Sequence, residues 1–267
     1  MHVYGLIGDP VEHSLSPAMF NAAFDASAIE AVYGTFHVDH DDLETALHGA
    51  EALDVRGLNV TTPHKKAIIE LIDPVPEAAS IGAVNTIDLT TSPPRGWNTD
   101  AFAMEVVIDD LDPDPGVALV LGAGGAGRAY AHALYAAGWQ LIIANRTVAR
   151  AEQLAARLEA TTPVSLEDAA DLLGEVDLVV NATTVGLEDH AQTPIAPEGI
   201  GPDHIVIDAI YGTHETQLLR HAKAVGATGV GGDRLLLEQA LASYERWFDS
   251  PAPRDVMAEA LREALGR

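Results

Sequence analysis

The chain has 267 residues, 48% of them hydrophobic, and a formal net charge of −25 at pH 7. That length points to one large domain or two of ordinary size, and that apolar share to a folded protein. The charge excludes phosphate backbones and anionic lipid, hence nucleic acid and membrane, as partners, and the absence of cysteine excludes disulfides, thiolate catalysis and Cys-based zinc sites.

Taken in chain order, the segment Met1–Gly8 lacks the basic region and apolar length of a secretory signal. No apolar run approaches the ~18 residues of a membrane span, so a cytoplasmic enzyme is expected. Through about residue 100, short apolar runs at His2–Gly8, Val32–Val38, Gly57–Thr61 and Val84–Leu89 predict strands. Between them, Ser16–Ala28 predicts a helix, with Ser16 able to cap it and Pro17 in the first helical position. Asp41–Ala52 and His64–Ile72 are further helices of this reading.

Asp112-Pro113-Asp114-Pro115-Gly116 then interrupts the pattern as a linker does. Beyond it, continuous apolar runs at Val117–Leu121, Leu141–Ala144, Leu178–Asn181 and Ile205–Ile210 read as buried parallel strands. They alternate with helical patterns at Arg128–Ala137, Ala149–Glu159 and Glu215–Val225, a βαβ series with right-handed crossovers. Two helices, Leu235–Phe248 and Arg254–Leu265, close the chain. The fold class is therefore α/β.

Val117–Leu121 runs into Gly122-Ala123-Gly124-Gly125-Ala126-Gly127 with a helix behind it, the strand–turn–helix setting that makes G-x-G-x-x-G a dinucleotide signal. Gly122 permits the tight turn, Gly124 the close approach of a pyrophosphate, and Gly127 the packing of helix on sheet. Unpaired N–H groups at the helix start suit an anion; a glycine turn that serves packing alone is the plain alternative. The second strand ends at Asn145-Arg146-Thr147, with Arg150 one turn on, where an NAD site would carry a carboxylate. A carboxylate repels a 2′-phosphate, whereas two guanidinium groups clamp it. In so acidic a chain a phosphorylated cofactor needs its own local positive charge, and only 12 arginines exist to supply it. Two solvated arginines at a helix start are the plain reading, and NADP(H) the sharper one.

Lysine is scarcer still: Lys65, Lys66 and Lys223 are the only three. Scattered acids with so few lysines match adaptation to high salt, where screening tames self-repulsion; an ordinary acidic protein is the alternative. Asn59-Val60-Thr61-Thr62-Pro63-His64-Lys65-Lys66 follows a strand, and Gly96-Trp97-Asn98-Thr99-Asp100 lies just before a helix. Metal-free ketone reduction needs a proton donor beside the oxygen that gains charge, and a lysine–aspartate pair provides one. Singly, each is a surface lysine or a capping aspartate. Ser14 and Ser16, on alternate positions before a helix, suit a substrate carboxylate, a turn or an N-cap. His13 beside Ser14 has no G-x-S-x-G elbow to make a hydrolase. His37 with His40, and Glu188-Asp189-His190, lack the i, i+4 spacing of a helical metal site, so no metal is expected.

Together these segments resemble the shikimate dehydrogenase family, end to end. Those that carry the likeness are His13 to Pro17, Asn59 to Lys66, Gly82-Ala83-Val84-Asn85-Thr86, Asn98-Thr99-Asp100 and Gly122 to Arg128. Asn145-Arg146-Thr147, Asn181 to Gly186, Asp208 to Tyr211, and Gly232 with Leu235-Leu236 and Gln239-Ala240 complete it. The resemblance implies a mixed-sheet substrate domain, residues 1–100 with 236–267, and a Rossmann-type doubly wound NADP domain, residues 101–235, with the active site in the cleft between them. It makes Lys65 and Asp100 the catalytic pair and assigns the substrate carboxylate to Ser14 and Ser16. Asn59, Thr61, Asn85, Asp100, Tyr211 and Gln239 then surround the hydroxyls and ring of shikimate or 3-dehydroshikimate.

The same resemblance assigns NADP(H) to Gly122, Ala123, Gly124, Gly125, Ala126, Gly127, Asn145, Arg146, Thr147, Arg150, Thr183, Ile210 and Gly232. The implied reaction is a reduction within aromatic amino acid biosynthesis, and a homodimer is compatible with it. Ala101, Ala103, Gly212, Thr213 and Leu235 depart from common family residues and bear on loop shape and turnover. A quinate/shikimate enzyme of relaxed cofactor use is the alternative enzyme. A non-catalytic NADP-binding sensor is the alternative outside enzymes, and retention of Lys65 with Asp100 speaks against it.

Overall fold

In the computed structural model, which describes residues 1–159 and 161–267, the apolar run behind Met1 becomes β1 (His2–Gly8), buried from Tyr4 to Gly8. The chain divides into a unit of Met1–Phe102 with Leu237–Arg267 and a second of Ala103–Leu236. The first continues through α1 (Ser16–Ala26), β2 (Ala31–His37), α2 (Leu43–Ala52), β3 (Val55–Val60), β4 (Asp73–Pro74) and α3 (Pro76–Ile81). It then adds β5 (Thr86–Asp88), β6 (Arg95–Trp97) and the start of α4 (Thr99–Leu111). Its six strands run β2-β1-β3-β5-β6-β4. β1 is parallel to both β2 and β3, whereas β5 is antiparallel to β3 and to β6, so the sheet is mixed.

The second unit holds β7 (Val117–Leu121), α5 (Gly125–Ala136), β8 (Gln140–Ala144), α6 (Val148–Ala155), β9 (Thr161–Val164) and α7 (Leu166–Ala169). β10 (Leu178–Asn181), β11 (Ile205–Asp208), α8 (Gln217–Val225), β12 (Thr228–Gly231) and the start of α9 (Gly232–Phe248) follow. Every pairing in its sheet is parallel, in the order β12-β11-β10-β7-β8-β9. This is the doubly wound order in which the chain reverses direction beside β7, the place where such sheets take ligands. Leu119, Leu121, Val179, Val206, Leu173 and Leu218 share one core on this sheet, which is why the central strands read as unbroken apolar runs.

α10 (Arg254–Ala264) and the end of α9 complete the first unit. Its sheet packs Ile7, Leu58, Val60, Ile68, Val84 and Ile87 into one core. An aromatic cluster joins β1, α1 and α9: Tyr4, Phe24 and Phe248 lie within ring contact of one another, and Phe20 stacks on Tyr33 at 4.5 Å. Trp247 donates its indole N–H to the Ile87 carbonyl (3.0 Å), tying the end of α9 to β5. Among the described residues, no helix is long and apolar enough to cross a membrane.

Arg254 locks α10 to α9 through two bonds to Glu238, at 2.7 and 2.5 Å, and the Glu238 side chain is only 1% exposed. Removing the cation leaves that carboxylate buried without its fork. Arg254→Ala is therefore expected to cost about 2–3 kcal/mol, the low end for such a pair because Arg254 itself is half exposed. The denaturant midpoint of the variant checks this.

Candidate active site

β3 ends at Val60 and the chain turns through Thr61–Pro63 to reach Lys65. The Lys65 carbonyl accepts the N–H of Val84 (2.7 Å), which withdraws it from any helical ladder. The helix expected over His64–Ile72 accordingly shrinks to a 3-10 turn at Ile68–Leu71. From the other side, β6 delivers Asn98, whose Oδ1 accepts the N–H of Ala101 (3.1 Å) and whose Nδ2 donates to the Ala83 carbonyl (3.0 Å). Asn98 thereby caps α4, and Asp100 lies inside its first turn rather than ahead of it, where the helix N-terminus favours a carboxylate. Lys65 Nζ donates to Asp100 Oδ2 at 2.6 Å, with the two side chains 14% and 8% exposed. A charge-assisted bond so shielded from water fixes both groups.

Behind this pair lies a buried polar network. Asn85 Oδ1 accepts the Thr99 N–H (2.7 Å) and the hydroxyls of Thr99 and Thr86 (both 3.1 Å). That fixes the amide orientation and leaves Asn85 Nδ2 as its remaining donor. Asn59 Nδ2 donates to the Asn85 carbonyl, Thr86 Oγ1 and Ser243 Oγ, while its Oδ1 accepts the Tyr33 hydroxyl (2.8 Å). Asn59 is therefore spent on the protein's own groups. Ser243 touches Thr86 Oγ1 (2.8 Å) and Thr99 Oγ1 (3.1 Å), and donates to the Gln239 carbonyl one turn back (2.8 Å). Sequence reading missed Tyr33, Thr86, Thr99 and Ser243. Thr86 and Thr99 stood in motif segments without a role of their own, and the signal for Ser243 was a serine inside the apolar pattern of α9.

The helix at Ser16 starts otherwise than expected. Leu15 occupies the cap position without a side-chain bond, Ser16 is the first helical residue, and Pro17 follows it. Ser14 Oγ accepts the Ser16 N–H (3.3 Å), because the turn Val11–Ser14 brings that hydroxyl alongside. Ser16 is buried and Ser14 partly so. Thr61, also partly buried, is held by its N–H on the Ile7 carbonyl (2.9 Å). Gln239 lies partly buried on α9 in this unit; Tyr211 belongs to the second unit, just beyond β11.

In the second unit Gly122 has φ +107°, a conformation L side chains rarely adopt. A side chain at Gly127 would overlap the Gly122 carbonyl, whereas one at Gly124 would meet nothing within 4 Å. Packing thus demands the first and last glycines and leaves open space at the middle one, as a dinucleotide cradle requires. The Ala123 N–H donates to Asn145 Oδ1 (3.1 Å) and Asn145 Nδ2 to the Thr147 carbonyl (2.9 Å), stitching the loop to the end of β8. Arg146 and Arg150 are exposed, and neither guanidinium forms a hydrogen bond or ion pair with a described residue.

At the ends of β10 and β11, Asn181 Nδ2 donates to Asp208 Oδ1 (2.9 Å) and Asn181 Oδ1 accepts the Thr183 N–H and hydroxyl. Asp208 also accepts from Thr216 (2.7 Å) and the Ile210 N–H (3.1 Å). Burial raises its carboxyl above the ordinary range against the pull of those donors. Gly232, buried, donates its N–H to the Ile210 carbonyl (3.3 Å), so Thr183, Ile210 and Gly232 all lie at this edge. Among the described residues one group has metal-ligand spacing: Asp9, His37 and Asp39, all exposed. The two His37 ring nitrogens face different carboxylates, at 3.7 and 3.3 Å. His190 instead turns Nδ1 to the Gly186 carbonyl (2.8 Å).

Three family models match the chain in succession. The "Shikimate dehydrogenase substrate binding domain" covers residues 6–87, "Shikimate / quinate 5-dehydrogenase" residues 114–192, and the "Shikimate 5'-dehydrogenase C-terminal domain" residues 234–262. The chain is 47% identical to the shikimate dehydrogenase (NADP(+)) of Natronomonas pharaonis, over 99% of this chain and 100% of the other. It is 45% identical to the Haloarcula marismortui enzyme of that name, with the same coverage. The crystal structure of the Thermus thermophilus shikimate 5-dehydrogenase in complex with NADP(H) and shikimate superposes with a TM-score of 0.89. The two are 37% identical over 99% of this chain and 100% of that one. A lysine–aspartate pair largely shielded from water beside a mixed sheet, a glycine cradle on a parallel one and this end-to-end likeness lead to one conclusion: the chain belongs to the shikimate dehydrogenase family.

Proposed function

We propose that the protein catalyses the reversible NADPH-dependent reduction of 3-dehydroshikimate to shikimate, as its relatives named shikimate dehydrogenase (NADP(+)) suggest. The observation that carries this reading is the shielded Lys65–Asp100 bond of 2.6 Å. A bound nicotinamide supplies the hydride. Lys65 donates to the C3 oxygen as negative charge gathers there, and Asp100 orients the ammonium and balances its charge. In shikimate oxidation the same pair runs in reverse.

Ser14 and Ser16 take the substrate carboxylate, and Asn85 offers Nδ2 to a hydroxyl. Thr61, Tyr211 and Gln239 close around the ring, while Asn59 supports from behind through its network. Residues 1–100 with 236–267 serve as the substrate domain and residues 101–235 as the cofactor domain. There the loop Gly122, Ala123, Gly124, Gly125, Ala126 and Gly127 holds the pyrophosphate, and Asn145, Arg146, Thr147 and Arg150 the 2′-phosphate. Thr183, Ile210 and Gly232 line the nicotinamide side.

Nicotinamide absorbance, followed with shikimate or quinate, each offered NADP⁺ or NAD⁺, tests the reading. Reduction of NADP⁺ by shikimate at the highest kcat/KM is expected. Turnover led by quinate with NAD⁺ would replace it by the broader quinate/shikimate activity, and no turnover by a sensor.

The charge carries a second expectation. With 40 acidic residues against 15 lysines and arginines, self-repulsion in dilute buffer is large, and molar salt shortens its range to about 3 Å. Both the melting temperature and the turnover rate are expected to rise steeply toward molar salt. Full activity in dilute buffer would separate the acidity from any salt requirement.

A further inference from the structure

Arg128 directly follows the glycine loop, in the first turn of α5, and is only 4% exposed. Its Nε is buried with no hydrogen-bond partner, and no described residue forms a hydrogen bond or ion pair with its guanidinium. The side chain is held below the ordinary arginine pKa by burial and by another cation, Arg157. A guanidinium nevertheless stays charged, and a buried unpaired charge is among the most costly arrangements in a fold. Acidic partners were not scarce, since the chain carries 40 of them, yet none is placed here. Departures of this kind concentrate where function offsets them.

The position says which function. The Arg128 N–H donates to the Gly124 carbonyl at 3.0 Å, one helical turn from the open middle of the cradle. The unpaired N–H groups of the helix start lie in the same turn. We propose that Arg128 is a further phosphate-binding residue of the dinucleotide site, kept unpaired in the fold so that a phosphate oxygen of the bound cofactor completes it. This rests on reading the second unit as the NADP(H) domain. Arg128 differs from Arg146 and Arg150, which are exposed and lose little by standing unpaired. A buried guanidinium without its anion weighs on the ligand-free fold, so the residue trades stability for binding.

The test uses the full chain at one ionic strength, with Arg128→Met and Arg128→Lys beside the unaltered protein. Melting temperatures are recorded without ligand, and dissociation constants for NADP⁺ and NAD⁺ by calorimetry. Arg128→Met, which keeps the buried stem and removes the charge, is expected to melt a few degrees higher without ligand. It is also expected to bind cofactor about ten- to a hundredfold more weakly. An equal loss for both dinucleotides assigns the contact to the pyrophosphate, and a loss for NADP⁺ alone to the 2′-phosphate. Arg128→Lys, retaining a charge, should bind more tightly than Arg128→Met. Packing alone would order the two variants the other way, since methionine suits the buried space better.

Unchanged dissociation constants in Arg128→Met, or a lower melting temperature without ligand, would overturn the assignment. If the unaltered protein binds neither dinucleotide, the cofactor reading itself fails, a result separate from any effect of the variants.

Discussion

Lys65→Ala is expected to lower kcat by about 10²–10⁴-fold, the usual contribution of a positioned proton donor, while the dissociation constant for shikimate changes little. The lysine acts chiefly on charge that appears in the transition state, so its loss falls on kcat rather than on ground-state binding. Asp100→Asn is expected to slow turnover as well, because the amide neither balances the ammonium nor accepts from it as strongly as a carboxylate does. At 2.6 Å the two side chains form one unit, so the double variant should be little worse than the more damaged single one. Steady-state kinetics of the three variants, with shikimate binding measured separately, decides this. Near-normal turnover of Lys65→Ala would remove the lysine from the chemistry, and fully additive losses would dissolve the pair.

The second large effect concerns cofactor choice. Arg146 and Arg150 are exposed, unpaired cations beside the end of β8 in a protein of net charge −25. A 2′-phosphate adds about two negative charges, and losing one charge-assisted contact to it costs about 1.5–3 kcal/mol. Arg146→Ala should therefore raise the KM for NADP⁺ roughly ten- to a hundredfold and leave that for NAD⁺ nearly unchanged. Asn145→Asp should move preference further toward NAD⁺, at some cost in stability. Asn145 Nδ2 now donates to the Thr147 carbonyl at 2.9 Å, and a carboxylate there would face that oxygen instead. All assays must share one salt concentration, since screening mutes both effects. Equal losses with both cofactors would make Arg146 a support of the fold instead of a reader of the phosphate.

The amino-acid sequence by itself determined the central strands of the parallel sheet, the glycine cradle, the arginines that follow β8 and the chemical type of the reacting pair. Val117–Leu121 and Leu178–Asn181 were legible residue for residue, because strands buried on both faces are runs of apolar residues, broken here only by Asn181 at the end of β10. Edge strands were not. β9 contains Pro163 and β12 is half glycine, and an edge, paired on one side only, places little demand on its composition. A helix over His64–Ile72 satisfied local periodicity and gave way when the Lys65 carbonyl was taken by Val84, a partner 19 positions away in sequence.

Only the tertiary structure decided that Lys65 and Asp100, 35 residues apart, meet at 2.6 Å. It alone showed that Asn59 is spent on Thr86, Ser243 and Tyr33 while Asn85 keeps a donor. It alone showed that Arg128 is buried without an anion. The physical reason is common to all three. Periodicity and turn chemistry act over a few residues and reveal which faces are apolar and where the chain bends. Hydrogen-bond partners and burial depend on contacts between segments distant in sequence, and those exist only once the sheets have formed.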